Sequence, residues 1–534
     1  MKPEILLGDE AVALAAIQAG LSAAYSYPGT PASEVMEYLL ARSGSGRGFI
    51  ASWSVNEKTA YEEALGTSFA GKRALVSMKH VGLNVAADPF MNSALTGIGG
   101  GLVVVTADDP SMHSSQNEQD SRYFAEFARV FCFEPSNHQE AYDMTRQAFD
   151  LSEKFEIPVM VRLVTRLSHS RSVVRPADPR DPNPLRLGRP KDWTLLPVNA
   201  RRRFKRLLEI QPELAASSEA SAFNALELNP ANRSLGVIAS GIAYNYVREN
   251  YPDPAAGPSV LKVSTYPLPE TLIRRLVAEV ETVLVTEDGY PLIETRIQGL
   301  FGIPGKKVRG RLTGDLPASG ELSPDNVRAA LGLPPPASPG PTDFTLANRP
   351  PQLCAGCPHG DSLTALKRAL DEFGRGTENV FSDIGCYTLG ALPPYEAVQS
   401  CVCMGASVGM AKGGAEAGVR PSVAVIGDST FAHSGLTGLL SAAEAQADMT
   451  VFILDNGTTA MTGGQKSYGS GERLLRIVEG LGVAREHVRV IEPLPKNLEK
   501  NVAVIKEELA YRGLSVIIPV RECLEEAKKK RKRS

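Results

Sequence analysis

Two apolar runs that each halt at an acidic residue, SVAVIGD over 422–428 and MTVFILDN over 449–456, constrain the fold of this chain most. Unbroken Val/Ile character suits a strand covered on both faces, as in parallel sheets, whose ligands gather at the strands' carboxyl ends. Between the runs, Leu436, Leu439, Leu440 and Ala443 recur at helical spacing. A right-handed strand–helix–strand unit carries Asp428 and Asn456 to the same sheet edge. The Asp428 carboxylate, the Asn456 amide oxygen and a backbone carbonyl such as that of Thr458 are hard oxygen donors, suited to a magnesium ion that also holds phosphate. Asp-Asn-Gly on its own is equally turn chemistry.

The same α/β pattern recurs along the 534 residues, in GLVVVTAD and IPVMVRLV near the amino terminus and in SLGVIAS and TVLVTEDGY further on. Several doubly wound parallel-sheet domains are expected. Composition shifts divide the chain into an α/β unit at 1–174, a proline- and charge-rich linker at 175–233 with one helix near RRRFKRLLEI, a second α/β unit at 234–332, a Pro-rich linker at 333–350, a third α/β unit at 351–524, and a basic tail at 525–534 expected to be frayed and solvated.

A formal net charge of -3 gives no electrostatic case for binding nucleic acid. No apolar run reaches the roughly eighteen residues of a spanning helix, and MKPEILLGDEAV lacks a basic-then-apolar leader, so no membrane insertion and a cytoplasmic location are expected. The cysteines number seven, and an odd count without an export signal argues against a disulfide framework. The C-x-x-C of LCAGCPHGD serves zinc, redox chemistry or neither, and zinc is weakened by the lack of a second pair.

Other stretches stay open on residues alone. In WSVNEKTAYEEALG, Asn56 suits a helix cap and puts Glu57 in the first turn, where a glutamate also favours the helix dipole; Glu62 and Glu63 are rivals for any chemistry. YSYPGTPASEV reads as a turn followed by a helix capped by Ser33. Lys79, His80 and Asn84 in MKHVGLN are pocket candidates, although His80 serves equally well as a core histidine. Arg122 in NEQDSR suits a substrate carboxylate or a surface salt bridge.

Gly427-Asp428-Ser429 followed by Asn456 resembles the thiamine diphosphate signature, with Ser429 replacing the usual last glycine. FSDIGCYTLGALPP, CVCMGASVGMAKGG, VIGDSTFAHSGLTGL and ILDNGTTAMTGGQ, together with YSYPGTPASE, WSVNEKTAYEEALG, SMKHVGLNVAADPFMNSALTG and DDPSMHSSQNEQDSR, resemble the large (alpha) subunit of indolepyruvate ferredoxin oxidoreductase, of the 2-oxoacid:ferredoxin oxidoreductase superfamily. The resemblance covers nearly the whole chain except the linkers and tail. It implies a pyrimidine-binding thiamine diphosphate domain at 1–174, a transketolase C-terminal-like domain at 234–332 and a diphosphate- and magnesium-binding domain at 351–524. Gly427, Asp428, Ser429, Asn456 and Thr458 would hold thiamine diphosphate and Mg2+. Glu57 would bond the aminopyrimidine N1', a case of positioned acid–base chemistry. Thr30 would line the 2-oxoacid pocket, with His80 and Arg122 as further catalytic candidates.

The resemblance also gives the cysteines a role. Cys354, Cys357, Cys386 and Cys523 have the order and approximate spacing of a set that binds a [4Fe-4S] cluster beside the thiamine. The implied reaction is oxidative decarboxylation of an arylpyruvate such as indolepyruvate, with coenzyme A, to an aryl-acetyl thioester and CO2. The alternative is a non-oxidative arylpyruvate decarboxylase or carboligase. The family's two-cluster ferredoxin module is missing, so a ferredoxin or flavin-containing acceptor is expected, along with a smaller beta subunit and a hetero-oligomer with paired large subunits.

Overall fold

A computed structural model describes residues 2–44, 48–186, 191, 193–336 and 351–533. The chain divides into two compact units, 1–340 and 341–534.

Among the described residues, the first unit holds two large sheets and an antiparallel pair, Glu4–Leu7 with Arg171–Val174. Seven strands lie side by side in the order Thr265–Tyr266, Cys132–Phe133, Val159–Val164, Leu102–Asp108, Ala74–Lys79, Ala23–Ser26 and Ile50–Trp53, all parallel except Thr265–Tyr266. A five-stranded sheet runs Lys307–Arg309, Thr282–Thr286, Leu235–Ser240, Ser259–Val263, Ala225–Glu227, parallel but for the last. The Leu102–Asp108 and Val159–Val164 strands are buried at every position, as expected of strands with helices on both sides.

The expected linker at 175–233 is instead structured. It contains the helices Pro197–Glu209 and Gln211–Glu219, contributes the strand Ala225–Glu227, and stacks Trp193 on Phe69 with ring centroids 3.9 Å apart. Thr265–Tyr266, expected in the second α/β unit, pairs with Cys132–Phe133 of the first sheet, and one apolar core runs through both sheets. The boundaries expected at 174 and 234 therefore do not separate cores. Short apolar segments such as Thr265–Tyr266 carry no signal of which sheet they join, because that is decided by packing. Residues 337–350 of the Pro-rich linker lie outside the described residues.

The second unit is built on five parallel strands, Val380–Ser382, Val423–Gly427, Met449–Leu454, Leu514–Pro519 and Val488–Ile491, in that spatial order. Strand side chains alternate between faces. Val423, Val425, Phe452, Leu454 and Ile517 join one apolar cluster, while Ala424, Ile426, Val451, Ile453, Val516 and Ile518 join another. The first cluster includes Leu363, Leu366 and Leu370 of the Pro358–Glu372 helix; the second includes Val408, Leu439 and Leu474 from three other helices. Two covered faces are what unbroken apolar strands require.

The basic tail departs from expectation. Leu524–Arg533 is a helix with Glu525 and Glu526 in its first turn, where carboxylates interact favourably with the helix dipole, and Lys529 Nζ donates to the Gly463 carbonyl at 2.5 Å.

Candidate active site

In the second unit, Gly427 and Leu454 are paired in register on adjacent parallel strands, so the loops that follow leave the sheet side by side. Asp428 is 2% exposed, and its Oδ2 has no hydrogen-bond partner. Burial first, and the Asp455 carboxylate second, push its pKa up to about 7, against the Ser467 hydroxyl and the Ser429 and Gly457 N–H groups. Asp455 accepts from Gly457 N at 3.1 Å and Gly471 N at 2.7 Å, and burial raises its pKa as well. Gly457, at φ 77°, takes the left-handed turn that lets the chain double back after Asn456. Asn456 Oδ1 accepts from Thr458 N at 3.0 Å, and Ser429 Oγ lies 2.7 Å from Thr459 Oγ1. A buried carboxylate with an orphaned oxygen, in electrostatic reach of a second carboxylate, is a donor set that suits a hard cation. The expected donors Asp428, Asn456 and Thr458 are all buried in these two loops. A π-helical turn at Phe431–Gly435 follows Asp428, a distortion frequent at functional sites.

His359 was missed in the sequence, although it directly follows the C-x-x-C-P stretch. Its Nε2 lies 3.2 Å from Asn456 Nδ2, and burial, helped by Arg521, pushes its pKa down to about 4. The neutral ring accepts the amide proton, which leaves Asn456 Oδ1 directed away from it.

The four expected cluster cysteines converge. Each of Cys354, Cys357 and Cys523 raises the pKa of Cys386, which burial, the larger effect, pushes up to about 12. Cys357 is raised by burial, opposed by the N–H groups of His359 and Gly360 at the start of the Pro358–Glu372 helix. Arg521 fixes the loop, donating to Asp361 Oδ2 at 2.6 Å and to the Gly356 carbonyl, while Cys523 N donates to the Asn456 carbonyl at 3.2 Å. All seven cysteines are free thiols. Four thiols from three separated segments, in mutual electrostatic reach, fit the donor set of a cubane iron–sulfur cluster.

In the first unit the expected residues follow the carboxyl ends of neighbouring strands. Glu57, 6% exposed, opens the Glu57–Phe69 helix, capped by Asn56, whose side chain accepts from Thr59 N at 2.8 Å. Its rivals Glu62 and Glu63 are exposed. Lys79 ends its strand, donates to the Ser114 carbonyl at 2.9 Å, and is pushed down to about 8 by burial against the opposing pull of Asp109 and Glu57. Ser114 Oγ reaches the Thr30 carbonyl at 3.5 Å. Thr30, Glu57, Lys79 and Asp109 therefore share one sheet edge. Ser33 does not cap its helix: Ala32 occupies the cap position, and Ser33 Oγ accepts from Gly29 N at 3.0 Å, tightening the turn that carries Thr30. His80 is buried, with Nε2 3.2 Å from Asn117 Oδ1, so it steadies the loop after the Leu102–Asp108 strand; Asn84 is exposed.

Arg122 requires correction. It is not a surface residue. It is fully buried, paired with Asp120, with Glu287 at 3.0 Å and with Glu134 at 3.6 Å, and it donates to Tyr266 Oη at 3.0 Å and the Tyr290 carbonyl at 2.9 Å. These acceptors commit the guanidinium to the protein interior. Spacing along the chain gave no sign of them, because Glu134, Tyr266, Glu287 and Tyr290 lie far from it in sequence.

Residues 14–191 match the family described as pyruvate flavodoxin/ferredoxin oxidoreductase, thiamine diphosphate-binding, and residues 383–518 match the thiamine pyrophosphate enzyme C-terminal TPP-binding domain. The indolepyruvate oxidoreductase subunit IorA of Archaeoglobus fulgidus is 40% identical over 546 residues, covering 97% of this chain and 86% of its own. The protein of that name from Methanothermobacter marburgensis is 39% identical with the same coverage. A solved 2-oxoglutarate:ferredoxin oxidoreductase from Magnetococcus marinus aligns with 58% of this chain and 62% of its own at 17% identity and a TM-score of 0.49.

Proposed function

The chain belongs to the indolepyruvate oxidoreductase subunit IorA family, and from that premise we propose that it is the thiamine-bearing large subunit of an enzyme that oxidatively decarboxylates an arylpyruvate, such as indolepyruvate, to an aryl-acetyl thioester of coenzyme A. Bound thiamine diphosphate supplies a carbon nucleophile able to attack a keto carbon and accept the electrons left when CO2 departs. The chain's own residues anchor, orient and protonate. Asp428, Asn456 and the Thr458 carbonyl would hold Mg2+, with Gly427 and Ser429 beside the diphosphate; the orphaned Asp428 oxygen supports this. Glu57 would exchange a proton with the aminopyrimidine N1'. Its burial keeps water from competing for that proton. Thr30 and Lys79 would meet the 2-oxoacid, Lys79 as a cation for its carboxylate, while His80 steadies their loop through Asn117.

The convergence of Cys354, Cys357, Cys386 and Cys523 carries the oxidative reading over a plain decarboxylase, because a [4Fe-4S] cluster held there would accept electrons one at a time. Those electrons would pass to a ferredoxin or flavin-containing acceptor. The relatives' description as subunits supports a partner subunit, here a smaller beta chain, in a hetero-oligomer. Among the described residues, no helix is long and apolar enough to cross a membrane.

The test uses anaerobically purified complex. Wild type is expected to contain iron and acid-labile sulfide in equal amounts and to reduce a viologen dye only with arylpyruvate and coenzyme A present. Cys354→Ala is expected to lose iron and dye reduction while retaining some CO2 release. Iron-free wild type that yields an arylacetaldehyde would establish the decarboxylase instead.

A further inference from the structure

Away from the sheet edge just described, three segments of the first unit bring together ligating side chains that the proposed reaction does not use. Asp9 lies in the first turn of the Gly8–Gln18 helix, Glu34 in the first turn of Ser33–Ser43, and His169 at the end of Thr165–His169. One ligating atom from each lies within 4.8 Å of the others, and His169 Nε2 stands 3.4 Å from Glu34 Oε2. Donors at about 2.1 Å from a tetrahedral ion are spaced by roughly 3.4 Å.

Asp9 makes the cluster more than a surface group of acids. It is fully buried, and neither carboxylate oxygen has a hydrogen-bond partner. Ser168 Oγ, beside it and also buried, is likewise without a partner in hydrogen-bond geometry. Burial, then the Glu34 carboxylate, hold the Asp9 carboxyl well above its usual range, with the Ser168 hydroxyl opposing and Glu10 adding to the rise. The Glu34–His169 contact lowers the pKa of Glu34 and raises that of His169. Among the described residues no Lys or Arg pairs with Asp9. An unpaired buried carboxylate is costly unless it is protonated or metal-bound. Close packing of Gly8 on Leu167 and Ser168 keeps the segments together; a Cβ on Gly8 would lie 2.3 Å from the Leu167 carbonyl oxygen.

We infer that Asp9, Glu34 and His169 bind a divalent cation of the zinc or manganese kind, at a site separate from the Asp428 loop, which ties the helix following the Thr30 turn to the first helix and to the segment after the Val159–Val164 strand. One imidazole nitrogen with two carboxylates is a donor set both metals accept, and a water or the Ser168 hydroxyl completes it. Glu34 lies four residues beyond Thr30. The ion thus acts as a clamp on the position of that turn, with no part in the chemistry.

Equilibrium dialysis at pH 7.5 of the full chain, wild type, His169→Ala and Asp9→Asn, against Mn2+ and separately Zn2+, with metal counted by mass spectrometry, tests this. Ions held by cysteines or by Asp428 are common to all three proteins and cancel in the difference. The expected result is one ion per chain fewer in both variants for at least one of the metals, and a metal-dependent rise in melting temperature confined to wild type. His169 is 35% exposed and Asp9→Asn is isosteric, so matching circular dichroism of the metal-free proteins checks their folding. Equal counts of both metals in all three proteins would overturn the inference and leave burial to hold Asp9 in its neutral, protonated form.

Discussion

At the scale of single residues, the Asp428 carboxyl illustrates how a fold can hold a group in readiness for a ligand. Its folded pKa, about 7, stands above the ordinary 3.8. The stability it contributes is therefore complete below about pH 4 and is lost as pH rises through about 7. At pH 8 the cation-free chain holds a buried charge at a cost on the order of 4 kcal/mol. Asp428→Asn is expected to raise the melting temperature of the cofactor-free protein at pH 8, with no difference near pH 4, and to abolish stabilisation by Mg2+ and thiamine diphosphate. A scan of melting temperature against pH, with and without the cofactor, checks both signs. Glu57→Gln is expected to keep cofactor affinity within a few fold while slowing exchange of the thiazolium C2 proton by a hundredfold or more, as removal of a positioned proton donor does. NMR-followed deuterium exchange measures it. Unchanged exchange would move the role to another residue.

The helical elements position Glu57 by steric fit. Gly82, in the His80–Val85 helix, faces the glutamate so closely that a Cβ there would lie 2.7 Å from both Glu57 Cγ and Oε1. Gly82→Ala is expected to push the carboxylate aside and lower kcat about tenfold or more, with little change in the melting temperature, since the far end of a side chain yields at small cost. Steady-state kinetics beside a thermal melt distinguish this from general destabilisation. The helix start at Asn56 and Glu57 and the end of the strand at Gly427 were legible because capping and strand termination are local. The absence of a Ser33 cap was not, because Ser33 and Ala32 compete within one tight turn and the Gly29 N–H decides the outcome.

For the first unit as a whole, the buried charges connect its two large sheets. Arg122 joins Asp120 to Glu134, Glu287 and Tyr266, while Arg162 pairs with Asp108 at 2.7 Å and donates to the Asp288 carbonyl at 2.9 Å. Removing one cation from such a set leaves carboxylates buried without a counter-charge, which costs about 3–5 kcal/mol. Arg122→Ala is expected to lose that much in denaturant unfolding and, if the residue has no substrate role, to leave KM for the 2-oxoacid unchanged in the fraction that folds. A selective rise in KM with normal stability would return Arg122 to the substrate site.

What the sequence determined by itself was whatever depends on neighbours within a turn or a strand: the doubly covered strands around Asp428 and Asn456, the capped start at Asn56, and the order of the cysteines. Tertiary structure decided whatever depends on segments distant along the chain. It merged 1–174 and 234–332 around one core, enlisted 225–227 as a sheet edge, buried Arg122 among acids drawn from three segments, set His359 against Asn456 and left both Asp9 carboxylate oxygens without a partner in hydrogen-bond geometry. The physical reason is that periodicity and capping act through hydrogen bonds a few residues long. The burial that fixes a charge's partners is set only when remote elements close around it.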